Sequence, residues 1–129
     1  MKFLRFWFPV IIYSVIIFYI SSWPNLKVPL DFFWGDKVLH FLEYVPLGYL
    51  AARALGRTQR DISAKQIWLL AVLFAFFYGV SDEIHQGFVL GRTAALSDVL
   101  ADAFGGLLGV WIWFRLSHCR NNGYHSMGT

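Results

Sequence analysis

The sequence predicts an all-α protein, a polytopic membrane bundle of four transmembrane helices in a single domain. Two features of the composition lead to this prediction: hydrophobic residues make up 57% of the 129 residues, and charged residues only 15%. Typical soluble domains are about 25% charged, and a chain this short has too much surface for its volume to hide so much apolar material from water. Lipid is therefore the expected solvent.

The third feature is the spacing of the apolar residues. A helix needs roughly 20 mostly apolar residues to cross a bilayer core, and four segments approach that length: residues 6–22, 36–55, 66–86 and 96–116. The first carries no charge, so we expect it to pack at the periphery of the bundle. No cleavage site of small residues follows it, which favours an uncleaved helix over a signal peptide. The polar tail, 117–129 with His118 and His125, is expected to be disordered.

The basic residues predict the orientation of the bundle. Eight of the eleven lie on one expected side of the membrane: Lys2, Arg5, Arg53, Arg57, Arg60, Lys65, Arg115 and Arg120. The other three are Lys27, Lys37 and Arg92. Because Lys and Arg collect in cytoplasmic loops, both termini are predicted to be cytoplasmic. Basic residues at helix ends do not form a nucleic-acid-binding patch, and the single cysteine, Cys119, excludes an intrachain disulfide.

The acidic residues collect at the opposite face. Seven of the eight lie in the outer half of the bundle: Asp31, Asp36, Glu43, Asp82, Glu83, Asp98 and Asp102. An ionisable group within a membrane span costs roughly 2.5–3.5 kcal/mol, so such groups normally face the bundle interior or a water-filled cavity. Helical spacing places them on shared faces, with Asp36, His40 and Glu43 on one stripe, and Asp98 and Asp102 continued by Gly105 and Gly109 on another. The sequence therefore predicts a polar pocket at the outer end of the second, third and fourth helices, with Arg92 bending over it.

Each of these residues also has a simpler explanation. Asp36 and Asp98 can be helix caps, His40 a hydrogen-bonded interior histidine, Asp82-Glu83 a solvated loop, and Arg92 a counter-ion for a neighbouring acid. The pocket is favoured because chance would scatter polar residues over both leaflets, whereas here they gather at one.

Two ordered motifs resemble those of VanZ-like membrane proteins. They are Asp36-Lys37-Val38-Leu39-His40-Phe41 with Tyr44 and Leu47-Gly48, and Asp82-Glu83-Ile84-His85-Gln86 with Gly91-Arg92, Asp98, Gly105 and Gly109. The resemblance departs at Asp102, where the family usually has Asn, and the extra carboxylate can alter a proton or metal preference. It implies a multi-pass protein of the bacterial cell (inner) membrane that acts at the cell envelope. The family's namesake is associated with low-level resistance to the glycopeptide teicoplanin.

The predicted pocket contains candidates for three kinds of chemistry. Candidate catalytic residues are His40, Glu43, Glu83, His85 and Asp98. Candidate substrate-binding residues are Asp36, Lys37, Tyr44, Asp82, Gln86, Arg92 and Asp102. Candidate metal ligands are His40, His85, Glu83 and Asp98. The sequence alone does not decide whether a metal or any other cofactor binds.

Three functions fit this pattern. The first is binding of an envelope lipid, a cell-wall intermediate or a glycopeptide-like compound. The second is an enzyme that acts on a lipid-linked substrate by His/carboxylate acid–base or metal chemistry, although no H-x-x-x-H motif, phosphate-binding glycine loop or activated nucleophile is present. The third is a structural accessory subunit of an envelope complex. Membrane lipid is the expected partner in each case, with a second copy of the chain or an envelope protein as further candidates.

Overall fold

The computed structural model describes residues 1–24, 34–59 and 61–123, with side chains up to residue 118. These ranges contain four α-helices: α1 (Lys2–Ser21), α2 (Gly35–Thr58), α3 (Ala64–Gln86) and α4 (Leu96–Gly123). The predicted all-helical fold is confirmed. Four residues named in the charge analysis or the tail lie outside the described residues: Lys27, Asp31, Arg60 and His125. The side chain of Arg120 lies outside them as well.

Three helices begin earlier than predicted. α2 begins at Gly35, one residue early, and ends at Thr58, three residues late. α1 starts at Lys2, so Pro9 lies inside the helix and not in its first turn. α3 starts at Ala64 because Ser63 forms a capping box: its hydroxyl accepts a hydrogen bond from the Gln66 amide at 3.3 Å, and the Gln66 side chain accepts one from the Ser63 amide at 2.7 Å.

α4 ends later than predicted. It continues to Gly123, so the expected tail is helical over residues 117–123 rather than disordered. No proline or glycine interrupts residues 110–122, so the chain contains no strong stop signal before Gly123. Residues 124–129 lie outside the described residues.

Three of the helices are long and apolar enough to cross a membrane: α1, α3, and α4 over Leu96–His118. α2 does not meet the same criterion, because polar and charged residues near both of its ends lower its mean hydropathy. Large apolar side chains cover much of the outer surface, including Phe8, Ile11, Val15, Leu69, Leu70, Phe77 and Trp111. So much exposed apolar surface suits contact with lipid. A multi-pass membrane protein follows, while the fourth span stays a prediction.

α2 is the central helix and packs against each of the other three, most extensively against α4. The α2–α4 contact depends on glycine. A Cβ atom added at Gly105 would overlap the carbonyl oxygen of Phe41, and one added at Gly109 would overlap that of Val45. The glycine stripe of α4 thus faces inward, as predicted, and the two backbones touch as in other close helix pairs in lipid. This contact places the faces that carry His40 and Asp102 directly opposite each other.

Candidate functional site at the polar end of the bundle

The carboxyl-terminal ends of α1 and α3 meet the amino-terminal ends of α2 and α4. We call this region, residues 20–22, 35–44, 82–86 and 91–102, the polar end. Seven polar or charged side chains of the polar end are buried: Ser21, His40, Asp82, Glu83, Gln86, Asp98 and Asp102, of which Asp102 is fully buried. All of the sequence-predicted site residues belong to this region, although they fall into separate groups.

Three buried side chains from three helices form the central cluster, which consists of His40, Glu83 and Asp102. Nδ1 of His40 lies 3.1 Å from Oδ1 of Asp102 and 3.9 Å from Oε1 of Glu83. The side chains of His40 and Glu83 are 7% and 5% exposed, and that of Asp102 is inaccessible. Asp102 is therefore part of the core of the site, although the family resemblance pointed to Asn at this position.

A hydrogen bond from the backbone orients one member of the central cluster. Oε2 of Glu83 accepts a hydrogen bond from the Ala95 amide at 2.9 Å, which fixes the carboxylate against the start of α4. Oε1 of Glu83 and Oδ2 of Asp102 are buried and have no hydrogen-bond partner within the described residues. Gly79 leaves room for Asp102, because a Cβ atom there would lie 2.9 Å from the Cβ of Asp102. Two carboxylate oxygens thus have no partner among the described residues.

A second group lies on the exposed side of His40. Nζ of Lys37 binds Oδ1 of Asp98 at 2.8 Å, and the Ser97 hydroxyl donates to the same oxygen at 3.3 Å. Asp36 is exposed, and its carboxylate approaches both His40 and Asp98, with one atom of each within 4.8 Å of the others. Lys37 is thus the counter-ion of Asp98, an assignment that the sequence had left open.

A third group joins α3 to α1. Oδ2 of Asp82 accepts hydrogen bonds from Ser21 Oγ and from Gln86 Nε2, both at 2.8 Å. The Tyr13 hydroxyl also donates to the Glu43 carbonyl oxygen at 2.9 Å, which ties α1 to α2. α1 lies at the periphery of the bundle, as expected, since only Val10, Ile17 and Ser21 of its residues are buried; its last turn nevertheless contributes the buried Ser21 to the polar end. Ser21-Ser22, at the depth of the other polar residues, was the signal in the sequence.

His85 lies apart from the central cluster. Its ring stacks on Phe18 with the centroids 4.3 Å apart, and its Nε2 lies 2.9 Å from the Ser22 hydroxyl. Neither group of potential metal ligands among the described residues includes it. The helical turn explains this position, since residues 83 and 85 are about 200° apart around α3.

A small cavity of about 60 Å³ opens beside His40, and its lining includes Asp36, Glu43 and Arg92. Gly91 has a φ of 81°, a conformation that suits glycine, and the turn it permits directs Arg92 back over the helices. Nη2 of Arg92 donates to the Ile20 carbonyl oxygen at 3.4 Å, and its buried Nε has no partner within the described residues. In that part of the chain Arg92 forms no ion pair with an acid.

Glu43 and Tyr44 complete the polar end. Oε1 of Glu43 and the hydroxyl of Tyr44 are both buried without a hydrogen-bond partner in the part of the chain that the structure describes. Glu43 lines the cavity. Tyr44 is fully buried, with its ring centroid 6.3 Å from that of Tyr78, so it packs between the polar end and the apolar core.

Together, these features define a polytopic helical membrane protein with a cluster of buried ionisable groups at one end. A comparison with protein families identifies the class more closely: the VanZ/LLP1 model matches residues 3–117. The chain belongs to the VanZ/LLP1 family, which confirms the resemblance seen in its two motifs. Comparisons with curated proteins and with solved structures found no match.

Proposed function

We propose that the polar end faces the outside of a bacterial cell membrane and binds the headgroup of an envelope lipid or of a lipid-linked cell-wall precursor. The observation that carries this proposal is a set of five buried polar atoms without a hydrogen-bond partner in the described residues. They belong to Glu43, Tyr44, Glu83, Arg92 and Asp102. A buried polar group left unsatisfied costs about 1–3 kcal/mol, so the two of these groups that line the cavity, Glu43 and Arg92, are best explained by a polar ligand or water that completes them.

The same observation weighs against an accessory subunit whose polar residues only join helices. Polar side chains that only join helices form hydrogen bonds with one another, as Ser21, Asp82 and Gln86 do. The glycine stripe is also occupied within the chain, because Gly105 and Gly109 contact the α2 backbone. It is therefore not available as a surface for a partner helix.

The charges around the cavity favour a headgroup that carries an amine. Two acids, Asp36 and Glu43, line it together with Arg92 and His40. Lys37 is already paired with Asp98. An ammonium group would bind the carboxylates, while a phosphate could accept from Arg92, as charge-assisted hydrogen bonds are the strong ones. A volume of about 60 Å³ admits a small polar group of this kind and not an entire headgroup.

An apolar groove offers a place for the acyl chain of such a lipid. It lies between α1 and α3, has a volume of about 430 Å³ and is lined by apolar side chains that include Val10, Val15 and Phe74. Phe18 forms part of this lining and stacks on His85. The groove therefore extends toward the polar end from within the apolar part of the bundle.

The headgroup proposal is tested by lipid binding to purified protein. Native mass spectrometry would compare phosphatidylethanolamine with phosphatidylglycerol, which share a phosphate and differ in the amine. We expect a preference for the amine-bearing lipid of about tenfold, the equivalent of one charge-assisted hydrogen bond of about 1.5 kcal/mol. Glu43→Gln and Asp36→Asn should reduce that preference, whereas Asp61→Asn, near the opposite end of the bundle, should leave it unchanged. Equal binding of both lipids, or the same loss in all three variants, would contradict the proposal.

The orientation is tested by cysteine labelling. In a Cys119→Ser background, Phe88→Cys places a thiol in the exposed α3–α4 connection and Asp61→Cys places one in the α2–α3 connection. A membrane-impermeant maleimide applied to intact cells should label the first variant, and the second only after permeabilisation. The reverse pattern would place the polar end in the cytoplasm.

A second candidate function is an enzyme that acts on the same class of lipid. The specific observation is the buried pair of His40 and Asp102 at 3.1 Å, since a carboxylate beside a histidine can orient it for proton transfer. Incubation with radiolabelled lipid would detect turnover as a product that appears with wild-type protein and not with His40→Gln. If the protein binds the lipid but no product forms, the enzyme hypothesis is contradicted and binding is the remaining function.

A further inference from the structure

The central cluster has the composition and placement of a metal site. His40, Glu83 and Asp102 come from α2, α3 and α4, and each can direct one ligand atom so that all three lie within 4.8 Å of one another. Imidazole and carboxylate groups are common ligands of divalent transition metals. In a site with metal–ligand bonds of 2.0–2.2 Å, tetrahedral geometry puts neighbouring ligand atoms about 3.4 Å apart. The 3.1 Å and 3.9 Å separations from Nδ1 of His40 lie on either side of that value.

The charges of the central cluster do not balance within the described residues. Glu83 and Asp102 are two buried carboxylates, and His40 is their ion-pair partner in that part of the chain. Lys37 binds Asp98, and Arg92 donates to a backbone carbonyl. A protonated His40 would offset one negative charge and leave the other buried, which is costly in a site shielded from water. A divalent cation with neutral His40 would offset both.

An unpartnered oxygen is a second, independent indication. Oε1 of Glu83, the atom 3.9 Å from Nδ1 of His40, makes no hydrogen bond within the described residues, and its side chain is more than nine-tenths buried. The remaining oxygen of Glu83 is held by the Ala95 amide. A hydrogen bond to the oxygen that does not bind metal is the usual way in which a protein orients a carboxylate ligand.

We propose that His40, Glu83 and Asp102 bind one divalent transition-metal ion, such as zinc or manganese, in the interior of the polar end. A neighbouring trio, Asp36, His40 and Asp98, is the other group of potential ligands among the described residues. It is less suited, because Lys37 already neutralises Asp98 at 2.8 Å and Asp36 is exposed to solvent. This metal site goes beyond the headgroup function and does not depend on it, since no lipid takes part in the binding.

The test is metal binding by the full chain in detergent without added lipid. After removal of bound metal by a chelator, equilibrium dialysis against Zn²⁺, Mn²⁺ or Mg²⁺ followed by elemental analysis should find one Zn²⁺ or Mn²⁺ per chain. Mg²⁺ should bind more weakly, because it prefers oxygen ligands and keeps several waters. Thermal unfolding should shift upward as the concentration of the bound metal rises.

Matched variants locate the ion. His40→Gln and Asp102→Asn should weaken Zn²⁺ binding at least tenfold, whereas His85→Gln and Asp61→Asn should match the wild type. Asp98→Asn separates the two trios, because it should have little effect if the central cluster is the site. Absence of any stoichiometric ion, unchanged binding in His40→Gln, or a larger loss in Asp98→Asn than in Asp102→Asn would overturn the proposal.

A spectroscopic measurement on the wild type keeps the proposal testable if those two variants do not fold. Co²⁺ in place of Zn²⁺ should give the intense visible absorption of a four- or five-coordinate site with nitrogen and oxygen ligands. Addition of Zn²⁺ should remove this absorption as the two ions compete. The weak absorption of hydrated Co²⁺ would overturn the assignment.

Discussion

Substitution of Gly105 by alanine tests whether packing between α2 and α4 assembles the site. The new methyl group would overlap the carbonyl oxygen of Phe41. Because a carbon and a carbonyl oxygen normally stay about 3.3–3.6 Å apart, α4 must move away from α2 by a distance on the order of 1 Å. Gly105 follows Asp102 by three residues, and Phe41 follows His40 directly. The 3.1 Å distance between those two side chains should therefore lengthen to about 4 Å, beyond hydrogen-bond range.

Three contributions determine the net effect of Gly105→Ala on the free energy of unfolding. Forcing a methyl group into a well-packed contact costs about 1–3 kcal/mol, and loss of the buried hydrogen bond between His40 and Asp102 costs about 1 kcal/mol. Alanine recovers about 1 kcal/mol through its higher helix propensity. The steric cost decides the sign, because the colliding atom belongs to the backbone and cannot rotate away. We expect a net loss of about 1–3 kcal/mol.

The assay is reversible unfolding in mixed micelles, titrated with sodium dodecyl sulfate and followed by tryptophan fluorescence. Gly87→Ala is the matched control, because a Cβ atom there would meet the Ile84 carbonyl oxygen at 3.3 Å and the Ala94 Cβ at 3.6 Å. Its free energy of unfolding should stay within about 0.5 kcal/mol of the wild type. If Gly105→Ala unfolded like the wild type, or if Gly87→Ala lost as much, the reasoning from helix contact would be refuted.

Two further predictions concern the other polar groups. Ser21→Ala removes the hydroxyl that donates to buried Asp82 at 2.8 Å, and it should lower the free energy of unfolding by about 1–3 kcal/mol in the same assay. An unchanged midpoint would show that α1 is not tied to α3 through this bond. Lys37→Met leaves the buried carboxylate of Asp98 without its counter-ion, so it should destabilise by about 1–3 kcal/mol. Lys37→Arg should restore most of that loss, and failure of both variants to differ from the wild type would contradict the ion pair.

The sequence by itself was enough to predict the helices and the end of the bundle at which the polar residues gather. Composition and the length of the apolar segments reflect whether water or lipid surrounds the chain. They therefore indicate a helical membrane protein even when no contact between residues is known. The 3.6-residue period likewise predicted that Asp36, His40 and Glu43 share a face of α2. Gly105 and Gly109 on α4 predicted a close helix contact, and the structure contains one.

Only the tertiary structure decided which polar groups meet. Whether His40 contacts Asp98 or Asp102 depends on the rotation and depth of α4 relative to α2, and both acids lie on the same stripe of α4 one turn apart. Similarly, residue type alone makes His85 equivalent to His40 as a metal ligand, but the turn of α3 directs it toward Phe18. α1 contributes Ser21 to the polar end because its last turn packs beside Asp82. Helical periodicity determines the face of each helix, whereas pairing between faces depends on the packing of all four helices together.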